Sequence, residues 1–353
     1  MFCDKCGLEI PDDSAFCPGC GNKQAKKKEK TSRGNAKAFL TGCIVFIALA
    51  MMVVVAISDG KINVQSENKE SFSDSPTSVT SDITMPESQT QKDEGDVVNE
   101  QIQEIPVVEL TIGTKKYKSD VEKLSLKNLK LSNEDVKELD CFTNLKEIDL
   151  STNRVTDLSV LKNATQLEVV NITSCAISDL SFLQDMKNLR VLYGVVCQIS
   201  DISVLADKTE LEEINLSANQ ITDISPLRDC TKLRYVSLGG NELTNPEVLS
   251  GMTQLEELWL DTCGLKDVAF LRDNQSLKIL ALEDNPISDL SPLKGHTVEE
   301  LHLEMTLIGE NLQSLEGINV TKKLDVSGCD LSEQDLQMIR NLVQGNYELV
   351  CAY

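Results

Sequence analysis

LEEINLSANQITDISPL, Leu211 to Leu227, carries two hydrophobic patterns in succession. Leu211, Ile214 and Leu216 stand among polar neighbours in the pattern of a short strand with one buried face. Ile221, Ile224 and Leu227 then recur at every third residue and supply an opposite apolar wall. The stretch does not stand alone. Leu145, Leu167, Leu189, Leu211, Leu233, Leu255 and Leu277 are each 22 residues apart and each opens a similar run. The common period reads L-x-x-[LIV]-x-[LI]-x-x-[NC]-x-[ILV]-x-D-[LI]-x-x-L. One unit of this size cannot cover its own apolar face, so consecutive units stack into a solenoid with parallel strands.

This period resembles the leucine-rich repeat, and its length with T-D-I-S-P-L at Thr222 to Leu227 resembles the bacterial internalin subclass. The resemblance covers about residues 121–326. It implies an α/β leucine-rich-repeat solenoid with a parallel β face on the concave side and short 3-10 or α segments on the convex side.

Aligned on the period, polar residues fall into columns. Asp157, Asp179, Asp201, Asp223, Asp267 and Asp289 stand where the chain turns into the convex segment. Such a column is either a calcium or catalytic site or a set of turn starts. Stacked units lie roughly 4.8 Å apart, so the carboxylates would repel unless amides hold them. Asn245 takes one of the places, and asparagine caps a helix but ligates calcium poorly, which favours capping. Position nine reads Asn153, Cys175, Cys197, Asn219, Asn241, Cys263, Asn285, Thr306, Cys329. In leucine-rich repeats this is the asparagine ladder, and cysteine is a small buried substitute with a weak donor. Cys175 and Cys197 fall on adjacent parallel units whose β carbons stay too far apart for a bridge, so free thiols are expected. Position two alternates in sign from Lys146 through Glu168, Arg190, Glu212, Arg234, Glu256 and Lys278 to Glu299, a solvated row of ion pairs worth roughly 0.2–1 kcal/mol each. Ser132 with Asp135, and Ser332 with Asp335, predict longer helices capping both ends. Residues 107–112 are expected as an edge strand opening the domain, and residues 347–353 as one closing it.

Upstream of the repeats the composition changes in steps. CDKCG, Cys3 to Gly7, and CPGCG, Cys17 to Gly21, are matching Cys-x2-Cys turns. Each lets two thiolates reach one tetrahedral ion, so Cys3, Cys6, Cys17 and Cys20 are expected to hold a structural Zn2+. The pair resembles the compact zinc ribbons at the start of many bacterial membrane proteins; CPGCG also resembles a rubredoxin knuckle, which keeps iron as the alternative metal. Residues 1–22 form this ribbon and residues 23–37 a basic juxtamembrane segment. Residues 38–57, AFLTGCIVFIALAMMVVVAI, carry no charge over 20 positions, about 30 Å of helix and one bilayer core. They read as one transmembrane helix. Seven basic residues precede it, Lys23 to Lys37, which places the N-terminus in the cytosol and the C-terminal domain outside the cell. Residues 58–105 are polar with one aromatic, Phe72, and read as a disordered linker; residues 106–353 are the repeat domain with terminal caps.

Charge and motif content bound the function. The first 37 residues hold 8 of the 34 basic and 5 of the 56 acidic residues, so the remainder has a net charge of 26 − 51 = −25. So acidic a body repels phosphate backbones, and no nucleic acid partner is expected. No G-x-S-x-G or H-E-x-x-H occurs and the only histidines are His296 and His302, so the chain reads as non-enzymatic. Positions three, five and seven of each strand line the concave side in this fold. From Glu147 to Glu304 those columns contain no Lys or Arg, and they carry Tyr193, Tyr235 and Trp259, the only tryptophan. These three, with Glu257, Asp261 and Glu283, are the candidate ligand-binding residues. Exposed aromatics are costly to leave in water and are enriched at binding hot spots, and the acids favour a basic protein segment or a hydroxylated cell-envelope glycan. The resulting expectation is a membrane-anchored surface protein that binds a protein or glycan through its concave face. The alternative is a transmembrane sensor that couples binding outside to a contact of the cytosolic ribbon.

Overall fold

A three-residue strand begins every period, because only positions four and six must point inward before the chain turns away. In a computed structural model that describes residues 107–352, β3 (Lys123–Ser125), β4 (Glu147–Asp149), β5 (Val169–Asn171), β6 (Val191–Tyr193), β7 (Glu213–Asn215) and β8 (Tyr235–Ser237) recur with the period. β9 (Glu257–Trp259), β10 (Ile279–Ala281), β11 (Thr297–His302), β12 (Asn319–Asp325) and β13 (Glu348–Val350) continue them. The eleven form one sheet in chain order, parallel throughout. Register is strict. Ile148 pairs with Val170, Leu192 with Ile214 and Leu258 with Leu280, so equivalent core residues stack directly. β11 and β12 alone are longer, with a shift in register between Val298 and Glu300.

The ribbon, basic segment, membrane span and linker expected over residues 1–105 lie outside the described residues. Among those described, no helix is long and apolar enough to cross a membrane.

Position eight turns the chain out of each strand. Thr152, Ser174, Val196, Ala218, Thr262 and Asp284 hold φ between 51° and 61°, and Gly240 takes 70° in the same place. Non-glycine residues in this left-handed region lose about 1–2 kcal/mol, so the geometry is imposed from outside the residue itself. The position-nine ladder imposes it. Asn219 accepts the amides of Cys197 and Ile199 at 3.1 and 2.9 Å and donates to the carbonyls of Gly194 and Leu216 at 2.7 and 2.8 Å. Three periods further along, Asn285 makes the same four bonds, to Cys263, Leu265, Leu260 and Leu282. Where cysteine stands instead, only the donor bond survives: Cys197 Sγ reaches the Ile172 carbonyl at 3.1 Å, and Cys175 Sγ the Leu150 carbonyl at 3.1 Å. Both thiols are free, and burial pushes the Cys197 thiol up to about 12. The position-two charges pair in part, with Arg190 between Glu168 at 3.6 Å and Glu212 at 2.9 Å, on an exposed edge.

On the convex side each unit makes a short 3-10 turn, such as Ser225–Leu227, whose inward leucine is fully buried. The aspartate column starts these turns. Asp157, Asp179, Asp201, Asp223 and Asp289 each accept the amide two residues ahead at 2.7–2.9 Å, and Asp267 does so at 3.0 Å. They sit one residue before the cap, not at it. Asn245 differs from the expectation that it caps its own turn. Its Oδ1 accepts the Ile224 amide at 3.0 Å and its Nδ2 donates to Asp223 at 2.7 Å, so it ties down the preceding unit, while Pro246 opens its own turn without an amide to hold.

The amide bonds hold the carboxyls of Asp157, Asp201, Asp223 and Asp289 below the ordinary aspartate value of 3.8. A folded value below the unfolded one means stability that is fully present above about pH 4 and lost as pH falls through the folded value. The melting temperature is therefore expected to drop on acidification below that point, and Asp→Asn at all four should flatten the drop, since an amide oxygen accepts the same bond without titrating. An unchanged acid profile in that variant would remove the turns from the account.

The two ends depart from the repeat and from each other. The C-terminal cap is as expected: α1 (Glu333–Leu342) starts on a capping box between Ser332 and Asp335, buries Leu336 and Ile339, and leads to β13 at the sheet edge. The N-terminal cap is not. Asp135 does accept the Ser132 amide at 2.8 Å, but the chain then makes a five-residue 3-10 turn, Lys137–Cys141, and no α-helix forms there. The opening strand β1 (Glu109–Ile112) does not join the sheet either. It pairs antiparallel with β2 (Lys115–Lys118) as a separate hairpin that lays Leu110 and Ile112 over the end of the core.

Candidate functional site

Parallel register places position five of each unit directly beside position five of the next, and the side chains there decide what the concave face offers. Tyr193, Tyr235, Trp259 and Glu257 are half-buried on it, as the strand alternation requires. Their polar ends are not equivalent. The Tyr193 hydroxyl is hydrogen-bonded to Glu213 and the Tyr235 hydroxyl accepts from Asn215 at 3.3 Å, so both are served by the face itself. Trp259 is not: its Nε1–H is buried without an acceptor. The Trp259 ring tilts 35° against the imidazole of His302 with centroids 5.9 Å apart. The two stand on β9 and β11, and contact is possible because the residue between them in register, Ala281 on β10, is a single buried methyl.

Asp261 and Glu283 are less available than sequence reasoning implied. Asp261 is only 8% exposed. Its carboxylate lies against Gly239 of the preceding unit, where any side chain would collide, since a Cβ would stand 2.2 Å from Oδ1. Burial raises the Asp261 carboxyl to about 6 and the Glu283 carboxyl to about 7, with Glu304 and Asp261 adding repulsion at Glu283.

His302 and Glu304 stand two residues apart, at positions five and seven of one unit. The structure brings Glu283, His302 and Glu304 together, with Glu300 beside them. His302 Nδ1 lies 3.5 Å from Glu304 Oε1 and 3.8 Å from Glu283 Oε1, and Nε2 lies 3.2 Å from Glu300 Oε2. The neighbouring carboxylates raise the imidazole, against a burial effect that lowers it. The signal was present: three successive units put carboxylates at position seven, and a histidine at position five of the third stands among them.

A strand at fixed spacing, an asparagine ladder and short convex turns together decide the architecture. This is the architecture of a leucine-rich-repeat solenoid. Residues 209–251 match the family model for two copies of the leucine-rich repeat, and residues 2–24 match that of the zinc-ribbon domain. Among solved structures, the leucine-rich-repeat domain resembles internalin C2 of Listeria monocytogenes at 31% identity, covering 49% of this chain and 75% of that one with a TM-score of 0.45. A leucine-rich-repeat protein of Leptospira interrogans matches at 20% identity over 64% of this chain and 59% of that one, with a TM-score of 0.53. The functional domain of InlJ from Listeria monocytogenes, described as including a cysteine ladder, matches at 19% identity over 67% and 56%, with a TM-score of 0.49. No curated protein sequence matches the chain.

Proposed function

We propose that the leucine-rich-repeat domain is a non-enzymatic protein-binding module that takes a segment with basic side chains along its concave face, displayed outside the cell on the span of residues 38–57. The observation that carries this is the stripe from Tyr193 through Tyr235 to Trp259, running into acidic residues with no Lys or Arg in the columns from β4 to β11. Half-buried aromatics on a rigid sheet give contact area at low entropic cost, and the buried Trp259 Nε1–H gains a partner only from an arriving acceptor. Glu257 supplies charge on the face that draws a basic segment and repels an acidic one, while Asp261 and Glu283, set deeper and with raised carboxyls, add less.

Trp259→Ala with Tyr235→Ala in the full chain is expected to weaken capture of the partner at least about tenfold, equivalent to about 1.4 kcal/mol, with the melting temperature nearly unchanged. Undiminished capture by that variant would move the site off this face. Orientation is tested separately. Protease added to intact cells should remove residues 106–353 and spare the N-terminal residues, because the basic flank stays in the cytosol. A protected repeat domain would refute the outside placement.

A further inference from the structure

The cluster around His302 contains more buried oxygen than the protein supplies with donors. Glu283 Oε2 and Glu304 Oε2 are buried without a hydrogen-bond partner, and on the preceding unit Asp261 Oδ2, of a residue more than nine-tenths buried, is a third such oxygen whose charge acts on Glu283. Unpaired buried carboxylate oxygens are costly, and a protein normally meets them with a donor or a cation. No lysine or arginine pairs with Glu283, Glu300 or Glu304 among the described residues, and Lys323 on β12 is already paired with Asp325 at 3.0 Å.

We propose that Glu283, His302 and Glu304 form a binding site for one first-row divalent metal ion, with Glu300 orienting the imidazole. The donor atoms of the three ligands all lie within 4.8 Å of one another. An ion about 2.0–2.1 Å from each donor in tetrahedral geometry sets donors roughly 3.3–3.4 Å apart. His302 Nδ1 already stands 3.5 Å from Glu304 Oε1 and 3.8 Å from Glu283 Oε1, so closing on an ion needs only small side-chain movements. The other ring nitrogen completes the arrangement. A metal-binding histidine typically donates its second N–H to a carboxylate, which fixes the tautomer and turns the lone pair to the metal. Nε2 has that partner in Glu300 at 3.2 Å, which leaves Nδ1 as the free lone pair facing the two glutamates.

One imidazole and two carboxylates are donors for Mn2+, Fe2+ or Zn2+ and poor ones for Cu(I). Three protein ligands leave coordination positions open. The Trp259 ring at 5.9 Å shields one side of the imidazole. Burial raises the Glu283 carboxyl in the absence of a cation, and an ion would displace that proton and pair the orphaned oxygens.

The test is titration of the untagged, detergent-purified full chain with Mn2+, read by electron paramagnetic resonance. Mn2+ is chosen because the four thiolates of the ribbon are soft donors and poor ligands for it. One Mn2+ per chain is expected. His302→Ala and Glu304→Gln should each weaken uptake roughly a hundredfold or more, and Glu300→Gln roughly ten- to a hundredfold with the stoichiometry kept, since that carboxylate acts only through the imidazole. Melting curves identify any variant that has lost its fold, and the near-isosteric Glu304→Gln carries the test if His302→Ala does. A wild-type chain that binds no Mn2+, or binding that both ligand variants leave undiminished, overturns the site. No protein ligand enters the experiment, so its outcome is independent of the proposed concave-face partner.

Discussion

Asn285→Ala is expected to destabilise the repeat domain by roughly 4 kcal/mol or more, because two buried amides and two buried carbonyls lose their partner together at about 1–3 kcal/mol for each group left unpaired. The side chain accepts from Cys263 N at 3.1 Å and Leu265 N at 2.9 Å, and donates to the carbonyls of Leu260 and Leu282 at 2.8 and 2.9 Å. It is 1% exposed, so water cannot replace it. Asn285→Cys is the informative companion. Cysteine at this position keeps the bond to the carbonyl of the preceding unit, as Cys263 does to Leu238 at 3.4 Å, and should therefore cost clearly less than alanine. Denaturant unfolding of both variants reads the difference. A loss under about 1 kcal/mol for alanine would show that the ladder guides the turn without holding it.

Serine at any one of Cys3, Cys6, Cys17 or Cys20 should abolish stoichiometric zinc in the ribbon and unfold it. About twenty residues bury too little apolar surface to fold unaided, and structural zinc in such peptides is worth roughly 10–16 kcal/mol at neutral pH. A hydroxyl is not a thiolate at that pH, and three sulfurs leave the tetrahedron open. Elemental analysis of a peptide covering residues 1–24 should give one zinc for the native sequence and none for Cys17→Ser. Full zinc in that variant would refute the four-sulfur site, and iron in place of zinc would identify CPGCG as a rubredoxin-type knuckle.

The solenoid was legible because its determinants are local and repeated. Leu145 to Leu277 at equal spacing fixed the strands, and the aspartates and position-nine residues did in the structure what their columns implied. What was not legible lay where one unit meets something other than a copy of itself. The β1–β2 hairpin sits outside the period, and its signal was only the Gly113-Thr114 link between two short alternating runs. Lys208 reads as a solvated residue, yet its side chain is fully buried in a core column, with Nζ donating to the Gln184 carbonyl at 2.9 Å and to Asp207 at 3.0 Å. Asp261 reads as a surface acid and is buried because Gly239, 22 residues earlier, has no side chain to keep it out. Each of these depends on a cross-unit neighbour, which a single row of sequence does not display.

Strict parallel register also makes distance along the concave face a counted quantity. Tyr193, Tyr235 and Trp259 stand on the first, third and fourth of four successive strands, with no shift in pairing between them. At about 4.8 Å per strand, Tyr193 and Trp259 are three whole steps apart in one row, and Tyr235 lies at a whole number of steps across the strands, two residues back along its own. Inserting or deleting a unit of 22 residues between Tyr193 and Tyr235 leaves complementary surfaces on both sides of the junction, because every unit presents the same edges. The domain therefore behaves as a ruler with discrete graduations: its reach between anchors changes by addition or loss of entire repeats, never by degrees, and a partner fitted to one spacing is excluded by the next.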